Sequence, residues 1–287
     1  RVLSCKIILQ CSIIRGIILE SPSCTMPLIP SLLLLTVVML ASPARCQKVC
    51  PCAIRDSTVY YNTLVMDCSH LALADFPGGC IDDHTNEVSE LLLSYNSLTA
   101  IRSTTLVDFQ ELQILMLDNN KLTFIDVTSF EFMKSLQVID FNHNLDLFLE
   151  PETLSYQYGL RFLSTIGTNL GQLPYINASA VLERVDIRSS ELTSLRLELV
   201  NKKLSPPSFY FNCHGNEEIP DVAAMTLLDF PDDSIVNMNT GVHIWARTEE
   251  EKEALITKPW TINVDLVTAI KLCEVDGLPG DLDICFA

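Results

Sequence analysis

Between Leu91 and Leu195 one short phrase returns about every 24 residues, and that period limits the folds open to the chain. Leu91, Leu93, Asn96, Leu98 and Ile101 occupy the same relative places as Leu115, Leu117, Asn120, Leu122 and Ile125. The phrase is L-x-L-x-x-N-x-L-x-x-[LI]. Later copies change residues but keep register: Ile139, Phe141, Asn144; Leu163, Thr165, Thr168, Leu170, Leu173; Val185, Ile187, Ser190, Leu192, Leu195. The polar slot steps by 24 from Asn96 to Asn120, Asn144 and Thr168, then by 22 to Ser190.

Such a period describes a solenoid. The alternation Leu91-x-Leu93 makes a short strand whose apolar side chains point one way, and a single turn cannot bury them without a stacked neighbour. An Asn at a recurrent slot can bond the backbone of adjacent turns, satisfying groups that a bending chain would leave buried and unpaired. The hydroxyls of Thr168 and Ser190 can do part of that work, so a less regular ladder is expected there. An amphipathic helical domain is the rival, but a 24-residue register with one polar slot is not a 3.6-residue pattern.

These residues resemble the leucine-rich repeat family over about a third of the chain. The resemblance implies an α/β solenoid: a leucine-rich repeat horseshoe with a parallel sheet on its concave side and disulfide-stapled caps. Residues 88–195 then hold about five repeats. Residues 45–87 form an N-terminal cysteine cap, and 196–258 are degenerate repeats merging into a C-terminal region. Residues 259–287 resemble a C-terminal cap. A small independent domain within 196–258 is the alternative, because Pro206, Pro207 and Pro220 break the rhythm there, although Phe209 and Phe211 could begin a sixth turn near Cys213.

The first plausible translational start is Met26. Leu28 to Ala41 is almost wholly apolar and reaches small residues at Ser42 and Ala44, which reads as a signal peptide over 26–44 with an upstream segment of doubtful status before it. Three of the 11 cysteines, Cys5, Cys11 and Cys24, lie in residues 1–44, and eight remain. Cys46, Cys50, Cys52 and Cys68 sit directly ahead of the first repeat and look like the family's cap, in which a stapled hairpin covers the exposed apolar end of the solenoid. The resemblance implies Cys46 with Cys52 and Cys50 with Cys68, although four cysteines permit three connectivities. A zinc site is the rival, but no His stands at ligand spacing within the cluster. The C-terminal cap of the family carries Asn-Pro-Trp followed by two cysteines. This chain has Lys258-Pro259-Trp260 and then Ile262 and Val264, followed by an apolar helix-like stretch through Leu266, Val267 and Ile270 to Cys273. Cys80, Cys213, Cys273 and Cys285 therefore have no assigned partners; Cys273 can pair with Cys213 or Cys285. A free Cys80 would offer a route to a homodimer, and a fourth intrachain bridge is the other outcome. Asn177-Ala178-Ser179 is the one N-linked glycosylation sequon.

The formal charge is −17, and −19 without residues 1–44, which hold three basic residues and one acidic. That balance argues against nucleic acid or an anionic membrane as partner. The acidic run from Thr248 to Glu253 suits the first turns of a helix. No segment after the leader approaches 18 uninterrupted apolar residues, so no membrane span is expected in the chain as given. No nucleophile elbow, phosphate-binding glycine loop or zinc-hydrolase motif occurs, and no enzyme, cofactor or metal is expected.

Function is therefore expected on a surface. The x positions of the strand phrase point away from the core and line up as columns across the concave face. They bring together Asp118, Asn119, Asp140, Asn142, His143, Asp186 and Arg188, flanked by Tyr95 and Met116. This set resembles a protein-docking face, with Tyr95 as an aromatic anchor. The expected function is that of a secreted or cell-surface module recognising an extracellular protein ligand, in a receptor-like or adhesion role. A structural matrix-associated protein and an intracellular repeat scaffold with reduced cysteines are the alternatives.

Overall fold

In a computed structural model the chain divides after Val49, and the described residues belong to the second unit, Cys50–Ala287. They are 50–77, 85–176, 181–193, 195, 209–216, 221–275 and 278–279. Each copy of the repeat phrase contributes one short strand to a single sheet. The hairpin β1 (Ala53–Asp56) and β2 (Leu64–Asp67) opens it, followed by β3 (Val88–Leu92). Two-residue strands β4 (Ala100–Ile101) and β6 (Phe124–Ile125) pair with each other on the return path of the turns, apart from β5 (Ile114–Met116) and β7 (Val138–Asp140). Then come β8 (Phe162–Ser164), β9 (Arg184–Asp186), β10 (Tyr210–Asn212), β11 (Asp221–Ala223), β12 (Ile235–Asn237), β13 (His243–Ala246) and β14 (Thr261–Ile262). The main sheet has the order β1-β2-β3-β5-β7-β8-β9-β10-β12-β14, and only β1 pairs antiparallel within it. The sheet thus runs on past the last clear copy of the phrase at Leu195, through β10, β12 and β14.

The register repeats the sequence register. Leu91, Leu115, Ile139, Leu163, Val185, Phe211 and Val236 are opposite one another along the sheet, and all are buried. With Leu93, Leu117, Phe141 and Ile187 they form the continuous core on one side of the sheet. Stacking is what makes short strands of this kind stable.

The polar slot forms the ladder that the spacing implies. The amide nitrogen of Asn96 donates to the carbonyls of Cys68 at 2.8 Å and Leu93 at 2.9 Å, while its oxygen accepts from the Leu71 and Leu73 N–H groups at 3.0 Å. Asn120 donates to Leu93 and Leu117 and accepts from Leu98; Asn144 donates to Leu117 and Phe141 and accepts from Leu122. Each amide ties its own turn to the one before. Where hydroxyls replace the amide the ladder thins: Thr168 donates to Thr165 O at 2.8 Å, and Ser190 bonds the same carbonyl. Asn216 restores it, donating to Ile187 and Cys213 and accepting from Ser190 and Leu192.

Two cysteine expectations need correction. Cys52 is bonded to Cys68, which excludes both Cys46 with Cys52 and Cys50 with Cys68. The hairpin explains it: Ala53 lies opposite Asp67, so the flanking Cys52 and Cys68 are brought face to face. Cys50 and Cys273 are each disulfide-bonded. Cys213 is not: it is a free, buried thiol in the second slot of its turn, Phe211-x-Cys213-x-x-Asn216, where earlier turns hold Leu93, Leu117, Phe141, Thr165 and Ile187. Burial pushes its pKa up to about 12. Cys46, Cys80, Cys285, Asn177 and the segment expected to be a leader lie outside the described residues.

A second parallel sheet of order β11-β13-β15 is completed by β15 (Ile270–Leu272). The acidic run is the start of a helix, Glu249–Thr257, whose N-cap Thr248 accepts from the Glu251 N–H. The apolar stretch before Cys273 is helical only over Leu266–Ala269, because Ile270 pairs into β15. No helix among the described residues is long and apolar enough to cross a membrane.

Candidate functional site

The face of the main sheet opposite the core is laid out in columns by the register. One column reads Leu92, Met116, Asp140, Ser164, Asp186, Asn212, Asn237. Beyond the strand ends the pairing persists, with Leu93, Leu117, Phe141, Thr165 and Ile187 N–H groups each donating to the next turn at 2.8 to 2.9 Å. This places Ser94, Asp118, Asn142, Ile166 and Arg188 in a second column. In a third, Tyr95, Asn119, His143 and Ser189 all have left-handed φ between 50° and 57°, and Gly167 and Gly215 continue the pattern at 66° and 81°.

The acidic part of the face lies on β5 and β7. Asp118 accepts from the Ser94 hydroxyl and, at 2.8 Å, from the Asn119 amide. Asp140 accepts from the Asn142 N–H at 2.8 Å. Burial is the main cause that raises the Asp140 pKa to about 6; the Asn142 bond and His143 oppose it, and the charges of Asp118 and Asp186 add to it. Asn142 fixes the neighbouring turn by accepting from the Ser164 hydroxyl at 2.8 Å and the Ile166 N–H at 2.6 Å.

The basic part lies on β9. Asp186 is 1 % exposed, gripped by Arg188 through Nε at 2.8 Å and Nη2 at 3.1 Å and by Arg184 at 3.0 Å. Its bonds hold the Arg188 pKa above the ordinary value. The Arg184 guanidinium also lies 4.4 Å from the centre of the Tyr210 ring. Two partly exposed cations therefore cover one buried carboxylate.

The sequence-derived candidates fall on this face, but not as a uniform patch. Asp118, Asp140 and Asn142 cluster, whereas Asp186 is hidden beneath Arg184 and Arg188. Tyr95 stacks on His70 with ring centres 4.5 Å apart, towards the first turn. Met116 is half-buried beside Asp140, Asn119 serves Asp118, and the exposed His143 ring sits over Gly167, where a Cβ would lie 3.0 Å from its Nδ1. A further column was missed: Glu90, Ile114, Val138, Phe162, Arg184, Tyr210 and Ile235. These residues precede the first leucine of the phrase, and extending the strand alternation by one residue would have found them. Ile114, Val138, Phe162 and Tyr210 give the face a half-buried apolar stripe beside its charges. Among the described residues, no group of three or more His, Cys, Asp or Glu side chains is placed to hold a metal.

The leucine rich repeat family model matches residues 86–145 and 110–169. No curated protein matches the chain. Among solved structures, the chain is similar to one from the Toll–Spatzle complex of Drosophila, described as a molecular hub in development and innate immunity, at 16 % identity and a TM-score of 0.38. The match covers 73 % of this chain and 30 % of that one, so the chain spans less than a third of that neighbour's length. The family match shows leucine-rich repeats over residues 86–169, and the one parallel sheet from β2 to β14 carries their solenoid fold through the turns that follow.

Proposed function

We propose that the chain is a non-catalytic extracellular module that recognises a protein ligand through the open, concave face of its main sheet. The observation that carries this reading is the composition of that face: an apolar stripe over Ile114, Val138 and Phe162 adjoins a charged column with Asp140. Apolar anchors rimmed by charge are what protein interfaces use. The Cys52–Cys68 bond agrees with an oxidising compartment. The leader over 26–44 and the Asn177 sequon supply the route and the modification.

The test begins with residues 26–287 expressed in secreting eukaryotic cells. Protein in the medium should begin at Arg45, carry a glycan at Asn177, and retain the Cys213 thiol. It is then screened against cells displaying secreted and surface proteins, alongside a Phe162→Asp variant. A binder that loses the variant supports the reading. Binders indifferent to Phe162→Asp, or protein kept in cells with its leader intact, would refute it; the second result favours an intracellular scaffold.

A further inference from the structure

The charges on the open face are sorted along the axis of the solenoid. Asp118 and Asp140 lie on consecutive turns, and neither forms an ion pair with a Lys or Arg among the described residues, although the His143 charge acts on Asp140. Two turns beyond Asp140, Arg184 and Arg188 share the single carboxylate of Asp186, leaving one positive charge in excess. Between these ends the outward columns of the intervening turn hold no charge, only Phe162, Ser164 and Ile166; Arg161, whose guanidinium lies 5.7 Å from the centre of the Phe162 ring, is paired with Glu183. An adjacent pair of like carboxylates favours a cation brought by a partner, and the exposed guanidinium edges favour a carboxylate.

The spacing matches an extended chain. Neighbouring strands lie about 4.8 Å apart, so the three steps from the β5 turn to the β9 turn put Asp118 and Arg188 roughly 14 Å apart. An extended peptide rises about 3.3 Å per residue, and its side chains at i, i+2 and i+4 share one face across about 13 Å. We propose that the open face binds an extended peptide segment running across the turns, with a Lys or Arg against Asp118 and Asp140, an apolar side chain over Phe162 and Ile166, and an Asp or Glu against Arg184 and Arg188. This rests on the concave-face reading above and adds to it the chemistry of the partner: basic, apolar and acidic side chains at alternate positions, in that order or, for the opposite chain direction, its reverse.

The test is selection of a phage-displayed library of random 12-residue peptides on the immobilised full chain, followed by affinity measurement with synthetic winners. Winners should carry a basic and an acidic residue four apart with an apolar residue midway. Asp118→Lys should weaken them at least about tenfold, and changing the peptide's basic residue to Glu should restore binding to that variant alone. Arg188→Glu provides the reciprocal swap with the peptide's acidic residue changed to Lys. Because Arg188 supports buried Asp186, the Asp118 swap stands independently if the Arg188 variant does not fold. Winners of one charge sign, no enrichment over an unrelated protein, or affinities unmoved by both swaps would overturn the proposal. Winners lost only on Phe162→Asp would overturn it while leaving the concave-face reading intact, whereas winners unmoved by all three changes would remove both.

Discussion

Asp140 is a carboxylate held where its charge is costly. Its pKa is raised from 3.8 to about 6, so between those values the folded chain binds a proton that the unfolded chain has released, and stability falls as pH rises through that window. Above about pH 6 both states are ionised and the loss is complete. Asp140→Asn should therefore be more stable than the parent at pH 7.5, by on the order of 1–2 kcal/mol after allowing for solvent screening, with the advantage gone below pH 4. Urea denaturation at both pH values reads this; equal stability at pH 7.5 would contradict it. Asn120 is the opposite case, a polar group that the fold requires. Asn120→Ala strands the Leu98 N–H and leaves the Leu93 and Leu117 carbonyls with one amide donor each, from Asn96 and Asn144, and should cost about 1–3 kcal/mol in the same assay. The ladder amides at 96, 120 and 144 were legible in the sequence because the spacing alone marks them. Asn216 was not, since 26 residues and two prolines separate it from Ser190. Cys213 was misread because cysteine suggested a bridge where the turn needed only a buried apolar side chain.

Each turn from β3 to β10 leaves the sheet through one left-handed residue, and this element was invisible to an alternation that counts only apolar positions. Tyr95, Asn119, His143 and Ser189 hold that conformation despite having side chains, so the stacked neighbours impose it. Gly215 shows how tightly: a Cβ there would stand 2.6 Å from Ser189 Oγ and 3.3 Å from Ser189 N. Gly241 has φ +90° but nothing within 4 Å of an added Cβ. Gly215→Ala should thus lose about 2–4 kcal/mol, combining left-handed strain with crowding, while Gly241→Ala loses only about 1. Thermal melts of the two variants separate these effects, and equal losses would show that crowding at Ser189 is relieved freely.

Across the molecule, stability depends on contacts between neighbouring turns, and the first turn is held by the hairpin that Cys52–Cys68 closes. The bridge spans 16 residues, for which loop closure gives roughly 3 kcal/mol. In a Cys52→Ser, Cys68→Ser variant, hydrogen exchange should quicken in β2 and β3 and change little in β9 and β10, because a stacked array frays from its end. A uniform loss of protection would indicate a single cooperative block instead. The class of fold was readable from the period. Phe209 and Phe211 also hinted at the sixth turn, but the reach beyond it was not legible, because the turn built on Val236 and Met238 has Gly241 where an Asn is expected, and β14 contributes only two residues.

The register has a consequence for how such a chain changes over time. Asn96 and Asn120 make interchangeable bonds to the turns before them, so an in-frame deletion or duplication of one 24-residue unit would leave every remaining amide with a carbonyl to meet. What would change is length along the axis: the carboxylates and the guanidiniums would move closer or farther by one strand spacing, about 4.8 Å. The count of turns is thus a ruler with fixed graduations, and a new partner of different span could be accommodated by adding a graduation rather than by redrawing a surface.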